Sequence, residues 1–343
     1  IPTYDNSDIT EFARVFTGLT YNPKNPNNGT PYFGDEGPVS SIEDYLEADP
    51  AWMAIEMAQW EPMHETGEKR LLNGQTTNGT LQQDLDAAMD NLFNHPNVGP
   101  FIGRLLIQRL VKSNPSPGYI ARVATVFNNN GSGVRGDMAA VIRAILLDNE
   151  ARSSSFVNDP RHGKLREPVV RHLSVARAFN ISSSDGRFRN IGFSSLENYS
   201  QKPMQAPSVF NYYLPDHQPL GVLKDSGLYG PEFQITNATT TIKTLNYWSF
   251  AIPFDELLDP TEEEVNRSVL TMDYSDEIAL AENPDLLLDR LDILLTRGQM
   301  SPAARTIIRN ALISADDSEA DVEDIVRFAV TLVVSSPDFA ILR

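Results

Sequence analysis

The chain has 343 residues, with 46 acidic against 28 basic, 41% hydrophobic and 22% charged residues, and no cysteine. That length accommodates one large domain or two medium ones with a real core, and the absence of Cys excludes disulfide frameworks, zinc–thiolate sites, iron–sulfur clusters and a Cys nucleophile. A net charge of −18 argues against a general nucleic-acid binder, which needs a basic face for phosphate.

Helix is the dominant expected element. Ser7 or Asp8 can cap a helix through Glu11–Phe16 that stops at Gly18. Residues 21–40 are too dense in Pro, Gly and Asn for regular structure and read as a long loop. The stretch from Met53 to Leu72 can hold a small hairpin with its turn at Glu65-Thr66-Gly67-Glu68. Thr80 opens a segment with Leu81, Leu85, Met89, Leu92 and Phe93 at helical spacing. Further helices are expected over Val98–Lys112, from Pro117 to Phe127, over Asp137–Asp148 and over Arg166–Phe179. Residues 180–235 show no sustained period and read as a second long loop region. Three more helices follow, over Pro284–Thr296, Pro302–Ser314 and Asp321–Val334. The fold class expected is therefore mainly α: residues 1–343 form one large multi-helix domain with long irregular loops and a small β-hairpin. No run of 18 apolar residues occurs, so no transmembrane helix is expected. The opening Ile1-Pro2-Thr3-Tyr4 is neither an initiating Met nor a signal peptide, and the chain reads as the C-terminal part of a longer one.

The charge is segregated. Residues 1–100 carry −12, residues 101–178 carry +7 and residues 179–343 carry −13. The basic middle either balances acidic partners within the fold or builds an anion-binding surface. Arg161-His162-Gly163-Lys164-Leu165-Arg166-Glu167-Pro168 concentrates cations at the mouth of a helix, and Lys164, Arg166 and Arg161 are the candidate anion-binding residues. Alternatively Glu167 and Arg171, at i and i+4, form an ion pair on the helix.

Other motifs are incomplete. Gly131-Ser132-Gly133-Val134-Arg135-Gly136 matches the dinucleotide pattern, but a helix rather than a strand precedes it, so it reads as a loop between helices. His64-Glu65-Thr66-Gly67-Glu68 begins like a zincin motif and lacks the second His. As a local cluster, His64 and Glu65 are candidate metal ligands, and His64 and Glu68 candidate acid–base groups. Pro207-Ser208-Val209-Phe210-Asn211-Tyr212-Tyr213-Leu214-Pro215 is rich in aromatic residues and can line a groove or plug the core beneath a loop. No sequence pattern calls for a cofactor.

The order of several segments resembles a known family. These are Glu11–Leu19, Met63–Gly74, His95–Leu106, Gly163–Pro168, Ala206–Tyr213, Pro231-Glu232-Phe233 and Ser336–Ile341. Together they resemble the bacterial domain-of-unknown-function family 1800, from about residue 8 to the C-terminus. The resemblance implies a longer native chain with a helical region before this one. It also implies export, and a partner from domain-of-unknown-function family 1501. It carries over no catalytic residues.

Two functions from different classes are expected from these features. The first is a secreted or cell-surface protein, extracytoplasmic in location, that works in an assembly with a protein partner or with itself. The second is a hydrolase or lyase acting on an extracellular polymer such as a polysaccharide. The second would use a pocket built from His64, Glu68, Glu167, Arg171 and Asn211.

Overall fold

Caps and buried faces account for most of the helices. The computed structural model describes residues 4–20, 56–156, 159, 161–183, 200–202, 205–253, 270–316 and 321–343. The expected loop at 21–40 lies outside them, as do residues 184–199 of the second loop region. Within the described residues the fold is mainly α, with only two-stranded sheets beside the helices. The chain divides into two compact units, residues 1–98 and 99–343.

In the first unit, α1 (Asn6–Val15) is capped by Asp5, earlier than expected. The Asp5 carboxylate accepts from the Ser7 and Asp8 N–H groups at 2.8 and 3.1 Å, and Asp8 accepts from the Asp5 N–H at 2.9 Å. Asp8 is thus the reciprocal member of a capping box, not the cap. Strand β1 (Leu19–Thr20) pairs antiparallel with β2 (Ala58–Gln59). The hairpin also differs from expectation. Strand β3 (Lys69–Arg70) pairs with β4 (Thr76–Thr77), so the chain reverses over residues 71–75. Asn73 and Gly74 there have φ of 59° and 71°, the left-handed backbone that Asn-Gly adopts most readily. Glu65–Glu68 is instead a bend pinned by side chains. Helix α2 (Leu81–Phe93) starts at Thr80, whose hydroxyl and the Gln83 side chain form a second capping box. Val15, Leu71 and Ala88 form the apolar centre, with Phe12 and Leu85 against them.

Helix α3 spans Val98–Leu110. Gly99 and Gly103 let it approach the following helix, since a Cβ on either would lie within 3.2 Å of Phe127 or Val123. Helices α4 (Pro117–Asn128) and α5 (Met138–Leu147) pack together, and Tyr119 donates its hydroxyl to the Ile145 carbonyl at 2.6 Å. The glycine pattern at 131–136 joins them as a loop, with Gly131, Gly133 and Gly136 all at positive φ. Strand β5 (Lys164–Leu165) pairs with β8 (Ile341–Leu342) in register Lys164↔Leu342. It leads into α6 (Pro168–Ala178), which carries Pro in its first turn. Ser182–Ser183 (β6) pairs with Leu270–Thr271 (β7).

The main core lies among α6, α7 (Ala238–Ala251), α8 (Pro284–Leu291), α9 (Pro302–Asp316) and α10 (Val322–Val334). Trp248, Leu287, Leu291, Leu312, Val326 and Val330 are at its centre. Helix α7 was not expected. Its sequence, Ala-Thr-Thr-Thr-Ile-Lys-Thr-Leu, is rich in β-branched residues that disfavour helix. Burial of Thr240, Thr244, Trp248 and Ala251 along one face, together with the Asn237 cap, overrides that preference.

Candidate functional site

The first unit draws His64 inward. Asp84, on α2, accepts four hydrogen bonds: from Thr77 Oγ1 (2.6 Å), the Gly79 N–H (2.7 Å), Lys69 Nζ (2.7 Å) and His64 Nε2 (3.0 Å). Burial acts to raise the Asp84 carboxyl, but these donors outweigh it and hold the group well below the usual carboxylate range. His64 Nδ1 lies 2.9 Å from the Thr17 carbonyl. Both imidazole nitrogens therefore face oxygen partners and leave no lone pair turned to solvent. Glu65 does not join His64. It forms a fork with Arg14 at 2.9 and 3.1 Å, and that hydrogen bonding holds its carboxyl low. The Glu68 side chain is exposed. Among the described residues, no group of three or more His, Asp or Glu is placed to hold a metal ion.

The second unit holds Glu167, Arg171, Lys164, Arg166, Arg161 and Asn211, with Arg171 buried on α6. Asn211 is an exposed turn residue at φ 71°. Lys164 is enclosed, with its ammonium 2.9 Å from Glu232 and 2.8 Å from the Arg109 carbonyl. Arg166 is enclosed too. Its guanidinium lies 4.1 Å over the Phe339 ring and donates to the Leu295 and Phe339 carbonyls. Burial, followed by the charges of Arg297 and Arg171, brings its pKa down to about 9. Of the three candidate anion-binding cations, only Arg161 is exposed.

Glu232 is the centre that sequence reasoning missed. It is 1% exposed, at the Pro231–Gln234 turn. Burial raises its carboxyl above the ordinary range, Lys164 pulls it back, and the nearby Glu167 charge adds to the rise. Glu167 in turn lies 3.6 Å from Arg109 and accepts from Gln201 at 2.6 Å. The Arg109 guanidinium stacks over Tyr213 at 4.1 Å. Glu232, Arg109, Gln108 and Tyr213 border a space of about 10 Å³, the size of one water molecule. Glu232 Oε2, Gln108 Oε1 and Tyr213 OH have no partner there among the described residues. Lys164 and Gly230 also line a larger pocket of about 450 Å³, so the Lys164–Glu232 pair lies between the two spaces. The one signal in the sequence was a Glu between Pro231 and Phe233, an acid in apolar company.

Buried Glu232 and half-buried Glu167 each sit beside a cation, Lys164 and Arg109, inside a mainly helical scaffold. The segments at 163–168 and 231–233 supply Lys164, Glu167 and Glu232, and both are among the segments on which the family resemblance rests; Arg109 comes from α3. The chain belongs to the family described as protein of unknown function (DUF1800), whose sequence model matches residues 2–341. No curated protein and no solved structure matches it.

Proposed function

We propose that this chain is an extracytoplasmic protein, secreted or held at the cell surface, that works by binding a protein partner. The observation that carries the reading is an exposed apolar run. Val209, Phe210, Leu220 and Val222 are 95, 67, 87 and 81% exposed, and all fall within one stretch of the second unit. Large apolar side chains exposed within a short segment are candidates for an interaction surface, and aromatic ones anchor such surfaces. The stretch is braced from below. Tyr213 is buried under Arg109, the Leu214 N–H donates to Gln234 at 2.8 Å, and the Asn211 N–H donates to the Ser208 carbonyl at 3.1 Å. A braced surface limits the entropy lost on binding. The partner to try first is a member of domain-of-unknown-function family 1501, the usual neighbour of this family. An extracytoplasmic site suits a Cys-free, acidic chain. Cell fractionation and co-purification of the native-length protein test the reading. A family 1501 protein should co-purify from the envelope or medium fraction, and recovery from the cytosol without it would overturn the proposal.

A second reading, a hydrolase or lyase on an extracellular polysaccharide, is favoured by one observation: the raised carboxyl of Glu232 beside Glu167. The acid–base pair would then be Glu232 and Glu167, without His64 or Glu68. Release of reducing ends from a polysaccharide panel, lost in Glu232→Gln, would support it. No release from any polymer would remove it.

A further inference from the structure

The pocket of about 450 Å³ in the second unit has a lining of two kinds. Leu223, Leu228 and Phe233 give it an apolar wall. Arg161, Arg343 and His162 give it a polar one. Its charge is biased. Lys164 is neutralised by Glu232 at 2.9 Å, and the carboxylate of Asp159 accepts from the Arg161 backbone N–H at 2.9 Å. The Arg161 guanidinium is exposed and makes no ion pair among the described residues. Arg161 thus presents a guanidinium with no carboxylate partner among the described residues beside an apolar wall, a point of attachment for an anion.

His162 is held in place, its ring stacked on Phe156 at 5.8 Å and 21°. The pocket is preformed. Asn114 and Tyr229 exchange two hydrogen bonds, at 2.9 and 2.8 Å, across one wall. The Ser113 N–H donates to the Gly163 carbonyl at 3.0 Å. At Gly163, φ is +99° and a Cβ would lie 2.6 Å from the Leu342 carbonyl oxygen, so the backbone there closes as only glycine allows. The volume is that of a small-molecule site.

We infer that this pocket binds a small organic monocarboxylate, with its carboxylate on Arg161 and its apolar or ring body against Leu223, Leu228 and Phe233. Arginine grips a carboxylate in a two-point fork, and the apolar wall discriminates against bare inorganic anions. Four probes test the inference on the intact chain by calorimetric titration: phenylacetate, phenethylamine, benzyl alcohol and inorganic phosphate. Phenylacetate should bind more tightly than the other three. Arg161→Gln should weaken it about tenfold or more, with unchanged thermal unfolding because Arg161 is at the surface. Leu228→Trp, which fills the apolar wall, should abolish it. Phenethylamine or phosphate binding as tightly as phenylacetate would overturn the inference. So would phenylacetate affinity that neither variant changes, or no phenylacetate binding at millimolar concentration.

Discussion

Replacing Asp84 by Asn asks whether the first unit is held by its polar centre as well as by its small apolar cluster. In the wild type each carboxylate oxygen serves two donors: Thr77 and Gly79 on one side, Lys69 and His64 on the other. An amide supplies one acceptor oxygen. If that oxygen faces Lys69, the new NH2 meets the Gly79 N–H. If it is reversed, the NH2 meets the Lys69 ammonium, whose remaining hydrogen bond is to the Gly67 carbonyl at 3.1 Å. Lys69 is wholly enclosed, so its charge stays uncompensated. Removing one member of a buried pair costs about 3–5 kcal/mol, a large part of a typical domain's stability of roughly 5–15 kcal/mol. The pH dependence has a definite sign. The folded-state pKa of Asp84 is depressed below its unfolded value near 3.9. Its contribution is therefore complete above about pH 5 and fades as the pH falls through 4 and below. Urea unfolding at pH 7 and at a series of lower pH values measures both effects. The variant should lose about 3–5 kcal/mol at pH 7, and its curve should approach the wild type's on acidification. A loss under about 1 kcal/mol, or two parallel pH profiles, would refute the reasoning. The pair Lys69→Met with Asp84→Leu, which removes both charges, should recover part of the loss.

Further outcomes follow from the second unit. Lys164→Met leaves Glu232 without its cation. The loss should be about 3–5 kcal/mol at pH 8 and smaller near pH 5, where Glu232, its carboxyl already raised by burial, can take up a proton; unfolding at the two pH values checks this. Gly163→Ala sets a side chain against the Leu342 carbonyl at a positive φ and should cost about 1–3 kcal/mol, read as a lower denaturation midpoint. Leu291→Ala, at the centre of the main core, should cost about 2–5 kcal/mol, read the same way.

Much of the helical fold was legible in the residues. Thr80, Asp137 and Asp321 cap helices where their short polar side chains precede apolar periodicity. Two elements were not. Helix α7 hides in a Thr-rich segment whose intrinsic preference is against helix, and burial of one face decides it. The expected hairpin turn at Glu65-Thr66-Gly67-Glu68 gives way to Asn73-Gly74, which carries the stronger left-handed turn preference. The candidate sites were legible in part. Glu167, Lys164 and His64 were visible as polar groups in unusual company. Spacing along the chain could not show that Lys164 pairs with Glu232, 68 positions later, or that Asp84 captures His64 across 20. Part of the basic middle segment goes into internal pairs, such as Lys112–Glu150 at 3.2 Å and Arg122–Asp148 at 2.7 Å. These contacts come from tertiary packing, which local pattern does not encode.

The central claim, that the chain works by binding a protein through its exposed apolar run, is tested most directly by titrating it with a purified family 1501 partner. The wild type is compared with a variant combining Val209→Ser, Phe210→Ser, Leu220→Ser and Val222→Ser. These side chains are mostly in solvent, so the variant should unfold at the wild-type temperature. The account predicts a measurable complex with the wild type and an affinity lower by about a hundredfold or more in the variant, since interface anchors contribute roughly 2 kcal/mol or more each. Equal affinity for both proteins would contradict it.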